Sequence, residues 1–258
     1  MQDLKKIKDN TPSLYEFAKK ASVSLEDTKL VNKSAKVALC IDISETMMPY
    51  LLSGKAQVFA EKILALGMIL DSNSAIDVFL LANKAAYNIG SMTPDNFGDF
   101  INDALKKYES NHTSDYIHLI HELEQFYFPN DVNSGTKVVT SDEPVYAMVL
   151  TNGHTTDETA TIQEMIKVSY KPIFWQFMAV GVGKEDLGSG IWAWLMKPFA
   201  EDYSFLKTLD DMPNRFLDNA DFFNVTDPSE IKSEDLYRAL LTEYPDWLQR
   251  AENKKMFV

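Results

Sequence analysis

Residues 37–46 read Val-Ala-Leu-Cys-Ile-Asp-Ile-Ser-Glu-Thr, an apolar run that ends in Asp42 and is followed by hydroxyl side chains at Ser44 and Thr46. A continuous apolar run of this length is typical of a strand that is buried on both faces, as in a parallel sheet. Ligands of open α/β sheets bind at the carboxyl ends of such strands. In an extended chain, positions i, i+2 and i+4 project to the same side. We therefore expect one carboxylate and two hydroxyls to converge there, and such oxygen donors suit Mg²⁺, Mn²⁺ or Ca²⁺.

The composition is that of an ordinary soluble globular protein. The chain has 258 residues, of which 45% are hydrophobic and 24% charged, so one or two domains are expected. A formal net charge of −13 argues against a nucleic acid or an anionic membrane surface as the partner. Cys40 is the only cysteine, which excludes a disulfide framework and indicates a reducing compartment. The charged first ten residues and the absence of an apolar run of about eighteen residues predict no membrane span, so we expect a cytoplasmic protein.

Strand and helix patterns alternate along the chain. Apolar runs predict strands at residues 37–42, 76–81, 85–89, 145–151, 173–182 and 221–225. Helical periodicity predicts helices at residues 49–71, 94–105, 115–127, 160–168, 204–209 and 233–244, with Pro245 ending the last one. This alternation indicates an α/β fold, a Rossmann-like, doubly wound and mostly parallel sheet with helices on both faces.

The same pattern favours a single main domain. We assign residues 33–250 to it, with a helical extension at residues 1–32 and a tail at residues 251–258. Residues 181–198, rich in glycine and tryptophan, are predicted to be an irregular insertion. Within it, Trp192 and Trp194 are the best candidates for a lid or a protein contact.

Two further groups of oxygen donors are expected at the same edge of the sheet. Ser114 and its neighbours precede a helix, and Asn152 directly follows a strand that we expect to lie beside the first one. Each group has a simpler interpretation, since Ser, Thr and Asp cap helices and Asn-Gly forms turns. The occurrence of all three groups at one edge favours a metal site over separate caps and turns.

The chain resembles the von Willebrand factor A (VWA) domains, and most closely the TerF-like group of tellurium-resistance proteins. The resemblance runs from about residue 20 to about residue 250. The family pattern includes a D-x-S-x-S metal motif, "DVF" after the first helix, "PIFWQF", "DNAGFF" and an "ELY" tail. The matching segments here are Leu39–Pro49, Asp77–Phe79, Pro172–Phe177, Asp218–Phe223 and Asp235–Leu248.

The resemblance implies a metal-ion-dependent adhesion site. Carried over residue by residue, its members are Asp42, Ser44, Thr46, Ser114 and Asn152. Thr46 replaces a serine, and Thr113 is the alternative match to the threonine that Ser114 represents. Asn152 stands where the family has an aspartate that commonly holds a metal-bound water, so one negative charge is missing. Glu45, Asp115 and Asp157 are the candidates to compensate for it.

The function implied by the resemblance is a cytoplasmic, divalent-cation-dependent protein-interaction module. Mg²⁺ is the expected cation, with Ca²⁺ or Mn²⁺ as alternatives, and a partner protein, such as another Ter-type protein, would donate a carboxylate to it. Two alternatives stay open. The first is a metal-free scaffold whose adhesion site is degenerate. The second is a metal-dependent phosphoester hydrolase, for which Lys55, His112 and His154 are the available basic residues.

His118 and His121 faintly resemble a zinc signature. The two histidines are three residues apart on a predicted helix, but neither H-E-x-x-H nor H-x-x-E-H is present. The sequence alone therefore predicts a partly exposed helix face here rather than a zinc site.

Overall fold

A six-stranded sheet forms the centre of the protein in a computed structural model that describes residues 4–82, 84–109, 114–132, 135–184, 191 and 201–257. The strands are β1 (Lys36–Asp42), β2 (Ile76–Ala82), β3 (Ala85–Met92), β4 (Val145–Thr151), β5 (Ile173–Val180) and β6 (Ala220–Val225). Their order is β3-β2-β1-β4-β5-β6. Only the edge strand β3 pairs antiparallel; the other pairs are parallel. The predicted doubly wound, mostly parallel sheet is confirmed.

Ten α-helices surround the sheet in the described part of the chain. They are α1 (Leu4–Asn10), α2 (Pro12–Asp27), α3 (Met48–Leu52), α4 (Lys55–Leu70), α5 (Phe100–Leu105), α6 (Tyr116–Tyr127), α7 (Glu158–Val168), α8 (Ser204–Asp211), α9 (Ser233–Leu240) and α10 (Tyr244–Asn253). Within these ranges, no helix combines the length and apolar character that crossing a membrane requires.

Each face of the sheet is covered by its own hydrophobic core. Val37, Leu39 and Ile41 of β1 join the core that includes α1, α2, α4, α9 and α10. Ala38 and Cys40, at the alternate positions, join the core that includes α6, α7 and α8. Because successive side chains of a strand point to opposite faces, a strand covered on both faces reads as a continuous apolar run.

The helix predicted over residues 94–105 begins only at Phe100. Two further predicted helix boundaries are wrong, and both corrections involve local backbone chemistry. The helix predicted over residues 49–71 is divided into α3 and α4 by Gly54, which has φ +78°, in the left-handed region that glycine tolerates. Pro245 lies in the first turn of α10 and begins a helix instead of ending one. A first-turn proline loses no helical hydrogen bond, so this position accepts it.

The two chain ends pack onto the main domain. Ile7 and Leu14 of the N-terminal helices are fully buried, and α2 contacts α4 and α9. In the segment assigned to a tail, α10 continues to Asn253, Met256 is buried and its carbonyl accepts a hydrogen bond from Ser141 N at 3.1 Å. Trp192 and Trp194 of the predicted insertion lie outside the described residues.

Candidate metal centre

The candidate site lies where the strand order changes direction. β1 is flanked by β2 on one side and by β4 on the other, although β4 comes later in the chain. The loops that leave β1 and β4 therefore diverge and open a crevice at the carboxyl edge of the sheet. Asp42 ends β1, Thr151 ends β4 and Asn152 directly follows it, so the two adjacent strands deliver these polar residues to the same place.

Asp42 is the centre of this cluster and is fully buried. Its Oδ1 accepts hydrogen bonds from Ser44 N at 2.8 Å and from the Ser114 hydroxyl, and its Oδ2 accepts one from Thr151 Oγ1 at 2.8 Å. Burial raises the pKa of Asp42, and the hydrogen bonds from Ser114, Ser44 and Thr151 oppose that shift. The carboxylate is thus stabilised by donors that come from three separate segments of the chain.

Ser44 and Thr46 converge through a turn. Residues i and i+2 of an extended strand lie about 6.6 Å apart, whereas Ser44 Oγ and Thr46 Oγ1 are 3.2 Å apart. Ser44 is extended, but Glu45–Met47 form a 3₁₀-helix that brings the Thr46 hydroxyl back toward Ser44. The expected extended geometry is therefore wrong beyond Ser44, although the two hydroxyls do meet. Thr46 is exposed, so the cluster reaches the surface at this residue.

Ser114 is held in the cluster by the loop that follows β4. It forms an isolated parallel bridge with Thr155. Asp157 in the same loop accepts hydrogen bonds from Tyr116 N at 3.3 Å and Ile117 N at 2.8 Å, which fixes the start of α6 beside the β4 loop. Thr113, the alternative match, lies outside the described residues.

Asn152 presents its amide nitrogen to the cluster. Its Oδ1 accepts a hydrogen bond from His154 N at 3.1 Å, and its Nδ2 donates to Thr46 Oγ1. Because a backbone N–H can only donate, the His154 contact requires the amide oxygen on that side and the NH₂ group on the other. The turn also needs Gly153, which has φ +86° and no room for a Cβ, since that atom would lie 2.9 Å from Tyr203 Cδ1.

The oxygen atoms of four residues are compatible with a small divalent cation. Adjacent ligands of an octahedral Mg²⁺ site lie about 3 Å apart, since each Mg–O distance is about 2.1 Å. The Ser44 and Thr46 hydroxyls, 3.2 Å apart, match that spacing, with Ser114 and Asp42 beside them. Asn152 supplies a donor instead of a ligand oxygen in this conformation.

Among the candidates for charge compensation at Asn152, Asp115 and Asp157 have other contacts. Asp115 accepts a hydrogen bond from Thr156 Oγ1 at 2.5 Å. Asp157 accepts from the first backbone N–H groups of α6 and from Thr161 Oγ1 at 2.9 Å. Glu45 is exposed. Asp42 is thus the carboxylate that the hydroxyl cluster contacts directly.

The basic residues considered for phosphoester hydrolysis are engaged with carboxylates. Lys55 forms ion pairs with Asp227 and, at 3.3 Å, with Glu230. His154 Nε2 lies 2.7 Å from a carboxylate oxygen of Glu201. His112, the remaining candidate, lies outside the described residues. No contact of Lys55 or His154 in the structure favours phosphate binding at this site.

Sequence reasoning did not assign a role to two side chains that organise the site. Thr151 Oγ1 donates to Asp42, accepts from Gly153 N at 3.0 Å and lies 2.8 Å from the hydroxyl of Tyr116. Thr151 and Tyr116 are both buried. In the sequence, only their positions next to predicted site residues indicate them: Thr151 directly precedes Asn152, and Tyr116 follows Ser114 by two positions.

Comparisons with known proteins agree with this architecture. Residues 34–257 match the family model "vWA-TerF-like", described as the vWA found in the TerF C terminus. The uncharacterised protein YcbR of Bacillus subtilis (strain 168) is 27% identical over 243 residues, which cover 92% of this chain and 86% of that protein.

Solved structures resemble the fold at low sequence identity. Proximal thread matrix protein 1 from the mussel byssus is 11% identical with a TM-score of 0.51, over 82% of this chain and 47% of that one. The ArnB paralog VWA2 from Sulfolobus acidocaldarius is 15% identical with a TM-score of 0.46, over 82% of this chain and 45% of that one. The chain therefore spans less than half the length of these two solved structures.

Proposed function

Since the chain belongs to the vWA-TerF-like family of VWA domains, we propose that it is a divalent-cation-dependent protein-interaction module. The observation that carries the proposal is the buried Asp42 carboxylate at the carboxyl edge of the sheet, which accepts hydrogen bonds from the backbone N–H of Ser44 and from the hydroxyls of Ser114 and Thr151. We place the module in the cytoplasm, with Mg²⁺ as the cation and Ca²⁺ or Mn²⁺ as alternatives. Its partners would be other Ter-type proteins in a tellurium-resistance or stress-response system.

Ser44, Thr46 and Ser114 would hold the cation, with Asp42 behind them. Ser114 donates its hydroxyl proton to Asp42, which leaves the lone pairs of its oxygen for a cation. Thr46 Oγ1 accepts a hydrogen bond from Asn152, so this amide competes with a cation for the same oxygen. When bound, the cation would offer an electrophilic position to a carboxylate from the partner.

The overall charge supports a particular kind of partner. A chain with a formal net charge of −13 repels a generally acidic protein at long range. A partner that combines one carboxylate for the cation with surrounding lysine or arginine residues would complement this surface. The carboxylate of such a partner would make binding specific, and the lysine or arginine residues around it would raise the association rate.

The first test is a calorimetric titration of the chelator-treated chain with Mg²⁺, Mn²⁺ and Ca²⁺. We expect saturable binding that is lost in Asp42→Asn, an isosteric change that removes the charge. Asn152→Asp restores the carboxylate of the family motif and should tighten binding by about tenfold or more. Asp115→Asn is the matched control, because Asp115 faces Thr156 instead of the cluster. The cation affinity of this variant should equal that of the wild type.

A metal-free scaffold is the second candidate, and the orientation of Asn152 favours it. The NH₂ group of Asn152 is directed at Thr46. The Thr46 hydroxyl oxygen, which a cation would have to bind, therefore already accepts a hydrogen bond when no metal is present. If the wild type shows no heat with any cation and Asn152→Asp binds, the cation mechanism is overturned for this chain and the scaffold is supported. Equal affinity in Asp42→Asn and the wild type would place metal binding elsewhere in the molecule.

A further inference from the structure

We propose a second metal site, for Zn²⁺, formed by His121 and Glu124 of α6 and Glu164 of α7. His121 and Glu124 lie three residues apart, so they share one face of α6. One ligand atom from each of the three side chains lies within 4.8 Å of the other two. His121 Nε2 and Glu164 Oε1 are 3.8 Å apart. The site shares no residue with the Asp42 centre.

An unsatisfied buried oxygen distinguishes this group from an ordinary surface ion pair. Glu124 is 2% exposed, and its Oε1 accepts a hydrogen bond from Lys171 Nζ. Its Oε2 is buried and has no hydrogen-bond partner among the described residues. A buried carboxylate oxygen without a donor is strongly unfavourable, and an ion is one of the partners that such a group indicates. A cation between Glu124 and Glu164 would satisfy it.

The two neighbouring lysines leave one oxygen of each carboxylate for the cation. Lys171 binds Oε1 of Glu124, and Lys167 Nζ lies 2.7 Å from Oε2 of Glu164. The remaining atoms are Oε2 of Glu124 and Oε1 of Glu164, and the latter is the oxygen nearest His121. Lys171 is buried, whereas Lys167 is more than half exposed and can move away from an added positive charge.

The donor set and its spacing suit Zn²⁺. One imidazole and two carboxylates are typical zinc ligands, and a site with three protein ligands keeps a fourth position for water or substrate. Ligand atoms of a tetrahedral zinc site lie about 3.4 Å apart, because each bond is about 2.1 Å. His121 and Glu164 are 3.8 Å apart and all three ligand atoms lie within 4.8 Å of one another, so side-chain movements must bring them closer to reach this spacing.

The site is also accessible. An open groove of about 780 Å³ is lined by all three residues and by Ile117, His118 and Gln125. His121 is about half exposed at 49% and faces this groove. An ion can therefore enter from solvent, and its fourth position would face the groove. No local sequence motif marks this arrangement, because Glu164 comes from a different helix.

The test is a calorimetric titration of the chelator-treated full chain with Zn²⁺ alone, together with NMR of the histidine ring signals. We expect one saturable site of micromolar or tighter affinity and a shift of the His121 ring signals. His121→Gln and Glu164→Gln should each weaken binding by about tenfold or more. Lys167→Gln removes a competing positive charge and should tighten it. His154→Gln is the matched control and should leave the affinity unchanged.

Two results would overturn the proposal. One is a wild type that shows no saturable binding of Zn²⁺, and the other is a His121→Gln variant that binds Zn²⁺ as tightly as the wild type. Circular dichroism of each variant ensures that lost binding does not reflect unfolding. His121→Gln is the decisive variant for this purpose, since its side chain is half exposed. The outcome is independent of the Asp42 centre, which is tested with Mg²⁺.

Discussion

At the scale of single residues, the site depends on how the buried charge of Asp42 is stabilised. A buried carboxylate is tolerated only when hydrogen bonds replace the water it has lost. Asp42 obtains them from Ser44 N, Ser114 and Thr151, and Thr151 is in turn positioned by contacts with Tyr116 and Gly153. Thr151 therefore stabilises the site, although it is not one of the five residues assigned to it from the sequence.

Replacing Thr151 with valine tests this role. Valine keeps the volume but removes the donor to Asp42 Oδ2, so we expect the free energy of unfolding to fall by about 1–3 kcal/mol. Urea denaturation of the wild type and the variant measures the difference. Thr151→Ser keeps the hydroxyl and should lose clearly less. A valine variant as stable as the wild type would show that Asp42 does not need this donor.

At the scale of elements, α6 is positioned by a residue outside it. Asp115 precedes the helix but makes no side-chain capping hydrogen bond. Instead, Asp157 in the loop before α7 accepts hydrogen bonds from the first backbone N–H groups of α6. A carboxylate at this end of a helix also interacts favourably with the helix dipole. One side chain thus joins the loops before α6 and α7 and holds Ser114 at the site.

Asp157→Ala should therefore affect both stability and the candidate metal centre. Loss of a capping side chain costs about 0.5–2 kcal/mol, measurable by urea denaturation. Because Ser114 is two residues before Tyr116, Mg²⁺ affinity should decrease as well. Asp157→Asn retains an acceptor oxygen and should be less affected on both counts. Normal stability and normal Mg²⁺ affinity in Asp157→Ala would contradict this account of α6.

At the scale of the whole molecule, negative charge is concentrated at a place distant in sequence from both proposed metal sites. Carboxylate oxygens of Asp210, Asp221 and Glu243, from α8, β6 and the turn before α10, lie within 4.8 Å of one another. Burial, followed by the charge of Asp221, raises the pKa of Asp210 to about 7. Other charged groups that act on these carboxylates are Asp211, Asp218, Arg215 and Arg250. Folding brings these groups together and raises the pKa of Asp210.

This cluster predicts how stability changes with pH. The pKa of Asp210 is about 7 in the folded protein and near the ordinary value of 3.8 in the unfolded chain. Between these two pKa values the folded state binds one more proton than the unfolded chain does. The stability that Asp210 contributes is therefore fully present below about pH 4 and is lost as pH rises through about 7. Urea denaturation at about pH 5 and about pH 8 measures the free energy of unfolding at each pH. Between these two values, this free energy should fall less in Asp210→Asn than in the wild type. Equal losses would contradict the assignment to Asp210.

The sequence by itself determined the fold and the position of the main site. The apolar run of β1 predicted a strand buried on both faces, because alternating side chains must enter two cores. The alternation of strands and helices predicted the doubly wound sheet, since a helix between two strands returns the chain to the edge of the sheet where the first strand began and so allows parallel pairing. From this topology, Asp42 and Asn152 were expected at one edge, and the pairing of β1 with β4 places them there. That a cation binds there stays a prediction.

Only the tertiary structure decided how the polar groups face one another. The amide of Asn152 is oriented by His154 N, and the Ser44 and Thr46 hydroxyls meet through a 3₁₀ turn in place of strand alternation. Glu164 reaches His121 because α7 packs beside α6. These arrangements depend on distances of a few ångströms between groups on different elements or in an irregular turn. Periodicity in a sequence reports which face a residue occupies, but not which atom it presents to a neighbour.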